Sequence, residues 1–263
     1  MDINKIYCMD NLELLKRLPD NYIDLIYCDI LYGTGRNFGD YQDLKCDRKV
    51  IEEHYIPRLQ EMYRVLKDTG SIYLQMDTRI NHWIRCLMDD IFGYDNFRNE
   101  IVWCYINAGN NCKRYFNKKY DIILYYSKTK NYVFNIQFRP YAEGTYKNYL
   151  PGLTGSRGNY SEKGVSLSDW WTDISVGTKY PKGSDNNIGY FSQKPKALLE
   201  RIIKASSNEG DIVADFYMGS GTSMVVAKEL NRQFIGCDIN PKAVDIAQKR
   251  IDEAIDDKKS TLF

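Results

Sequence analysis

The sequence predicts an α/β fold, a mostly parallel sheet covered by helices on both faces, and three observations predict it. Short apolar runs of strand type alternate with amphipathic stretches at helical spacing. DIVADFYMGSGTSMVVAKEL reads as strand, Gly-rich turn and helix in direct succession. Two acids, Asp29 and Asp215, close apolar runs, at the strand ends where folds of this kind hold ligands. A chain of 263 residues suffices for one large domain, or for one domain with an inserted module.

Taken in order, NKIYC reads as a strand, and DNLELLKRL sets Leu12, Leu14, Leu15 and Leu18 at helical spacing. YIDLIYC is a buried β-rich run ending at Asp29. After a polar loop, Ile51, Tyr55, Leu59, Met62, Tyr63 and Leu66 share one face of a helix from about Val50 to Lys67. GSIYLQM is a strand, Ile80 to Ile91 a helix, and EIVWCYI a further strand. From about 107 to 187 the pattern loosens into short strands, DIILYYS and YVFNI, among turn-rich stretches such as PGLTGSRGN. Order returns with SQKPKALLERIIKAS, a helix whose Pro195 suits the first turn. DIVADF, TSMVVAKEL, RQFIGCDI and PKAVDIAQKRIDEAI then alternate strand and helix.

Net charge is +1, so no overall basicity marks a nucleic-acid partner. The charge is unevenly spread. Between Tyr105 and Asp185 stand about twelve Lys and Arg against about six Asp and Glu. The seven cysteines form no CxxC pair, and His54 and His82 are the only histidines, so no zinc spacing exists. Thiols in apolar runs suit a reducing cytoplasm. No signal peptide and no membrane-length apolar run is expected.

The Gly-rich turn is the first candidate site. Asp215 ends its strand, and Gly219 and Gly221 permit a close backbone approach. Met224 stands where the dinucleotide fingerprint needs a third glycine, and no Gly-Lys-Ser/Thr follows, so neither a pyrophosphate nor a triphosphate is favoured. Asp238 ends the next strand, where an acid commonly accepts ribose hydroxyl protons. A ligand with adenosine but no phosphate fits, namely S-adenosylmethionine. The plainer alternative is a tight corner and a helix cap.

DFYMGSGTS resembles the cofactor motif of the amino-directed DNA methyltransferases, and DILY, Asp29 to Tyr32, resembles their Asp-Pro-Pro-Tyr tetrapeptide. YFSQKPKALLERII, GSIYLQMD, NFRNEIVW and YDIILYYSK also resemble family segments. The order, catalytic motif first and cofactor motif last, is that of the β class. The resemblance implies a Rossmann-like methyltransferase fold of permuted motif order, a mixed seven-stranded sheet with one reversed strand. It implies one catalytic domain over 1–263, an inserted target-recognition region at about 107–187, and a mobile tail at about 256–263.

The resemblance further implies transfer of a methyl group from S-adenosylmethionine to the N6 amine of an adenine flipped out of double-stranded DNA. Asp29 and the backbone carbonyl of Ile30 would accept the two amine hydrogens, and Tyr32 would stack on the base. Leu31 completes the tetrapeptide. Ile30 and Leu31 replace two prolines, which predicts a looser loop unless their side chains pack. Cofactor contacts are expected from Asp10, Asp29, Lys194, Asp215, Phe216, Tyr217, Gly219, Ser220, Gly221, Thr222, Asp238 and Ile239. Asp10 also heads a capping box, Asp10-x-x-Glu13. Gly33 and Gly35 are read as making the following loop mobile.

In the middle region Lys113, Arg114, Lys118, Lys119, Lys128, Lys130, Arg139, Lys147 and Arg157 are interleaved with tyrosines, a pattern for neutralising phosphates. Asn107, Asn110, Asn111 and Asn117 are candidate readers of adenine edges. A tyrosine-rich mini-core is the alternative. The tail KSTLF resembles the Leu-Phe peptides that dock on bacterial sliding clamps, which would place Leu262 and Phe263 on a clamp, against simple fraying. A homodimer is a further candidate assembly. The competing functions are N4-cytosine methylation, a non-catalytic DNA-recognition subunit, and a Rossmann oxidoreductase, the last disfavoured by Met224.

Overall fold

The computed structural model describes residues 1–38, 41–105, 112–141, 163–176, 184 and 193–260, with side chains described to 254. In chain order the elements are β1 (Lys5–Cys8), α1 (Asn11–Arg17), β2 (Ile23–Asp29), α2 (Arg48–Val65), β3 (Leu66–Met76) and α3 (Asn81–Phe92). Then come β4 (Phe97–Cys104), β5 (Tyr120–Ser127), β6 (Phe138–Arg139), β7 (Val165–Ser166) and β8 (Trp170–Trp171). The chain continues through α4 (Lys196–Ser206), β9 (Ile212–Asp215), α5 (Thr222–Glu229), β10 (Gln233–Asp238) and α6 (Pro241–Ser260).

One sheet runs β1-β10-β9-β2-β3-β5-β4-β8. Its pairs are parallel except those of β5 with β3 and β4, so β5 alone is reversed. The two-residue β8 is a short addition at the edge. β6 and β7 form a separate antiparallel pair.

Alternation along the inner strands splits the core in two. Ile26, Cys28, Ile72 and Leu74 face α1, α2 and α3 on one side. Leu25, Tyr27, Tyr73, Ile123 and Tyr125 face α4, α5 and α6 on the other. Burial on both faces is why these strands read as continuous apolar runs. Met224 is fully buried, its sulfur 2.9 Å from where a Cβ on Gly236 would stand. Helix and strand thus pack closely with the glycine on β10 and not on α5.

Several expectations need correction. YVFNI forms no strand. It runs along α4, where Asn135 N donates to Ala205 O at 2.6 Å and Gln137 Nε2 to Arg201 O at 2.6 Å. Ala205 O belongs to the last turn of α4 and has no partner within the helix. Pro195 is the N-cap of α4, one residue before the first turn. β5, within the looser middle of the sequence, is an inner strand of the main sheet, so any recognition region has to be built around it. Lys128 does not face solvent. It is 8% exposed, and its ammonium donates to Leu66 O and Asn21 Oδ1, both at 2.6 Å. Leu66 opens β3, so Lys128 and the adjacent Lys130 lie at the opposite end of the sheet from Asp29. Leu262 and Phe263 lie outside the described residues. No helix among the described residues is long and apolar enough to cross a membrane.

Candidate active site

β2 and β9 are parallel neighbours, and both end in an acid, Asp29 and Asp215. From β2 the chain leaves toward α2 on one face, and from β9 toward α5 on the other. A crevice opens where neighbouring strands send their connections to opposite sides. Tyr27, Asp29, Lys194, Asp215, Gly219 and Ser220 all line it, with Tyr217 and Thr222 beside them. The two motifs, far apart in sequence, therefore face one cleft.

Asp29 is largely buried. Its Oδ1 accepts from the Tyr32 hydroxyl at 2.8 Å, and its Oδ2 is ion-paired with Lys194. Burial pushes the Asp29 carboxyl up, and Lys194 opposes that shift. The Lys194 ammonium stands where an N–H donor of a substrate amine would approach the carboxylate.

The two missing prolines are compensated. Ile30 N donates to Gln75 O at 3.0 Å, a ladder bond proline cannot make, and the Ile30 side chain is 3% exposed, packed in the core. Leu31 O accepts from the Tyr55 hydroxyl at 3.0 Å. The next turn is tied down as well. Asp43, 4% exposed, accepts from Gly33 N, Thr34 N and Leu44 N at 3.1, 2.8 and 2.7 Å. Gly33 has φ 67, and a Cβ there would stand 2.8 Å from Ile80 Cγ2. This glycine serves a turn and a close contact, not the loop mobility its type suggested.

On the cofactor-motif side, Asp215 is 2% exposed; it accepts from the Ser223 hydroxyl and from Tyr217 N. Burial drives its carboxyl up to about 7, against those two donors. Asp238 Oδ2 accepts from Gly219 N at 3.0 Å, which locks the turn to the end of β10. Burial raises the Asp238 carboxyl, countered by backbone N–H groups of Asn240, Gly219 and Ile239. Arg250 of α6 donates to Ser220 O at 2.6 Å and Thr222 Oγ1 at 3.0 Å, fixing the turn from behind.

The remaining candidates divide. Phe216 is 1% exposed and its side chain belongs to the core. A Cβ on Gly221 would meet Ala247 Cβ at 2.6 Å, so this glycine lets the start of α5 pack against α6. Ile239 is 69% exposed at the rim. Asp10 caps α1 through Leu12 N at 2.8 Å, and its other oxygen takes Arg58 at 2.8 Å. Glu13 lies beside Arg17 at 3.8 Å, outside the cap. Tyr217 meets His54 Nε2 at 3.1 Å; burial and Arg58 push that imidazole down to about 4.

Sequence reasoning missed a polar group behind the tetrapeptide. The Tyr32 hydroxyl lies 2.9 Å from Asp121 Oδ2, which also accepts from Gln75 Nε2 at 2.8 Å. Gln75 Oε1 accepts from the Tyr27 hydroxyl at 2.7 Å. The available signal was a polar residue inside an apolar strand run, Gln75 in SIYLQM and Asp121 in YDIILYY, since buried polar groups need partners.

Of the candidate DNA readers, Lys113, Arg114, Lys118 and Asn117 are exposed in the segment between β4 and β5, with Tyr115 and Phe116. Asn107, Asn110, Asn111, Lys147 and Arg157 lie outside the described residues. Trp170 is exposed on β8, whereas Trp171 is buried.

A crevice at the strand ends, lined by acids and a Gly-rich turn, with neither a pyrophosphate fingerprint nor a P-loop, defines an α/β protein whose ligand carries no phosphate chain. A family model described as DNA methylase matches residues 23–249, and the chain belongs to that family. It is 33% identical to the Type II methyltransferase M.HpaI of Haemophilus parainfluenzae, over 94% of this chain and 74% of that protein. It is 32% identical to the DNA adenine methyltransferase YhdJ of Escherichia coli (strain K12), over 93% and 81%. The PvuII DNA methyltransferase (cytosine-N4-specific) shares the fold, with a TM-score of 0.69 at 16% identity, covering 97% of this chain and 91% of that one. The chain is accordingly a DNA methyltransferase.

Proposed function

We propose that the chain methylates the N6 amine of an adenine flipped out of duplex DNA at a short specific sequence, from the cytoplasmic side of the cell. The observation that carries the reading is the shared cleft of Asp29 and the Gly219 turn, with Tyr32 hydrogen-bonded to Asp29. An exocyclic amine is a poor nucleophile because its lone pair is delocalised into the ring. Two acceptors on its N–H groups hold that lone pair toward the donor methyl and stabilise the charge that develops. Asp29 supplies one acceptor once Lys194 gives up its place, and the Ile30 carbonyl supplies the other. Tyr32, fixed by its hydroxyl, offers its ring to the base, a contact worth ~1–3 kcal/mol.

The donor set fits S-adenosylmethionine: Asp238 for ribose hydroxyls, the Gly219–Ser220 backbone for close approach, and an acid-lined cleft for a sulfonium. When bound, that cofactor supplies the activated methyl group. An acid at position 29 favours adenine, in line with the adenine-directed relative.

Asp29→Ala tests the reading. It is expected to abolish methyl transfer while S-adenosylmethionine binding, measured by calorimetry, persists. Near-normal turnover on the preferred DNA would sink the assignment. Digesting DNA methylated by the unaltered enzyme should yield N6-methyl-2′-deoxyadenosine; N4-methyl-2′-deoxycytidine would transfer the same site to the other base.

A further inference from the structure

The Tyr32 hydroxyl carries one hydrogen, yet it stands at hydrogen-bond distance from two carboxylates, Asp29 at 2.8 Å and Asp121 at 2.9 Å. Ionised carboxylates only accept. With both ionised, one proton serves two oxygen–oxygen contacts, and one contact sets lone pair against lone pair. One further proton completes the row: Asp121 O–H to Tyr32 O, and Tyr32 O–H to Asp29. Asp121 is 6% exposed, and Gln75 and Tyr105 hold its oxygens in place.

We propose that Asp121 is the final holder of the proton released by the target amine, passed to it from Asp29 through the Tyr32 hydroxyl. The inference rests on reading Asp29 as the acceptor for the amine. The balance is simple. The amine nitrogen forms the new C–N bond as the sulfonium C–S bond breaks, and the bond pair stays on sulfur. The nitrogen, now carrying an excess proton, gives it to Asp29. The Asp29 carboxyl rotates to bring that proton from the Lys194 side to the Tyr32 oxygen, and Tyr32, its O–H turned to Asp121, gives its own proton there. Asp29 ends ionised again beside Lys194, and Asp121 ends neutral. Asp121 is a positioning and proton-holding residue, since it touches the reacting atoms only through Tyr32. The groups facing this row are Tyr27 and Asp29 from β2, Gln75 from β3, Tyr105 after β4, and Lys194 before α4. Asp215 of β9 acts on Asp29 through space.

The test uses the full chain with Asp121→Asn, Tyr32→Phe and the double variant. Tyr32→Phe keeps the ring for stacking and removes the relay atom. Each single variant is expected to slow single-turnover methyl transfer by about 10- to 100-fold. S-adenosylmethionine affinity should stay unchanged and the acid limb of the pH–rate profile should move. The double variant should be no slower than the singles, because both cut one path. A second readout follows the proton itself. Time-resolved infrared spectra of a single turnover should show a protonated-carboxyl band that rises with methyl transfer and is absent from Asp121→Asn.

Wild-type rates with an unmoved acid limb, additive losses in the double variant, or an Asp121 band that does not rise with methyl transfer would each overturn the proposal. A reduced rate with the acid limb in place would also overturn it, as a purely structural effect. If Asp29→Ala transferred methyl groups normally, the reading of Asp29 would fall on its own, whatever Asp121→Asn did.

Discussion

His54 shows how one side chain couples the site to stability. Its imidazole is held neutral down to about pH 4, against an ordinary value of 6.5, by burial and by Arg58. Between those values the unfolded chain binds a proton that the folded one refuses, so stability falls as pH drops from 6.5 toward 4. His54→Gln should remove that slope. Compared at pH 5 and pH 7 by urea denaturation, the variant should lose about 1–2 kcal/mol less than the parent, the figure being discounted for a partly solvated ring. At this scale the sequence was uneven in what it disclosed. Asp29, Tyr32, Asp215 and Asp238 were legible because each ends an apolar run or sits in an ordered motif. Asp121 was not, because an acid opening a strand usually marks a boundary. Only the reversed direction of β5 brings it to Tyr32. Arg250 and Asp43 were illegible for a similar reason, since each acts on backbone atoms of a distant loop.

Among the elements, the strand–turn–helix at β9 and α5 was read correctly as a unit, but its packing against α6 was not foreseen. Gly219 borders the cleft, whereas Gly221, at φ 72, is where α5 touches Ala247 of α6. Gly221→Ala would add a strained left-handed backbone and a sub-van-der-Waals contact. We expect a loss of about 3 kcal/mol in the ligand-free protein, measured by denaturant unfolding. Ala247→Gly in the same chain should restore part of it by clearing the clash. A purely ligand-facing glycine would leave ligand-free stability untouched. The same lesson applies to Lys128. Its charge suggested phosphate, but a strand's two ends look alike in sequence, and this residue lies at the end away from the crevice, on Leu66 O.

Across the whole molecule, the alternation of strands and helices was enough to read the layered architecture. What alternation leaves out is strand order, which decides that β2 and β9 are neighbours. Strand order also brings the segment between β4 and β5 to the crevice end of the sheet. There Lys113, Arg114 and Lys118 are exposed beside Phe116, which is 97% exposed, an arrangement suited to a duplex lying over the cleft. If those three cations neutralise phosphates, replacing them with Gln should reduce the slope of log affinity against log salt by about 3. Equilibrium DNA binding at several salt concentrations measures this, and an unchanged slope would place the duplex elsewhere.

The pairing of β2 with β9, Leu25 beside Val213 and Ile26 beside Ala214, has a consequence for biosynthesis. A ribosome releases β2 long before β9, so one edge of β2 waits unpaired while most of the remaining chain is made. Until β9 arrives that edge is a template for pairing with another chain. Premature termination between Asp29 and Asp215 yields a product that has Asp29 but lacks the β9 wall of the crevice.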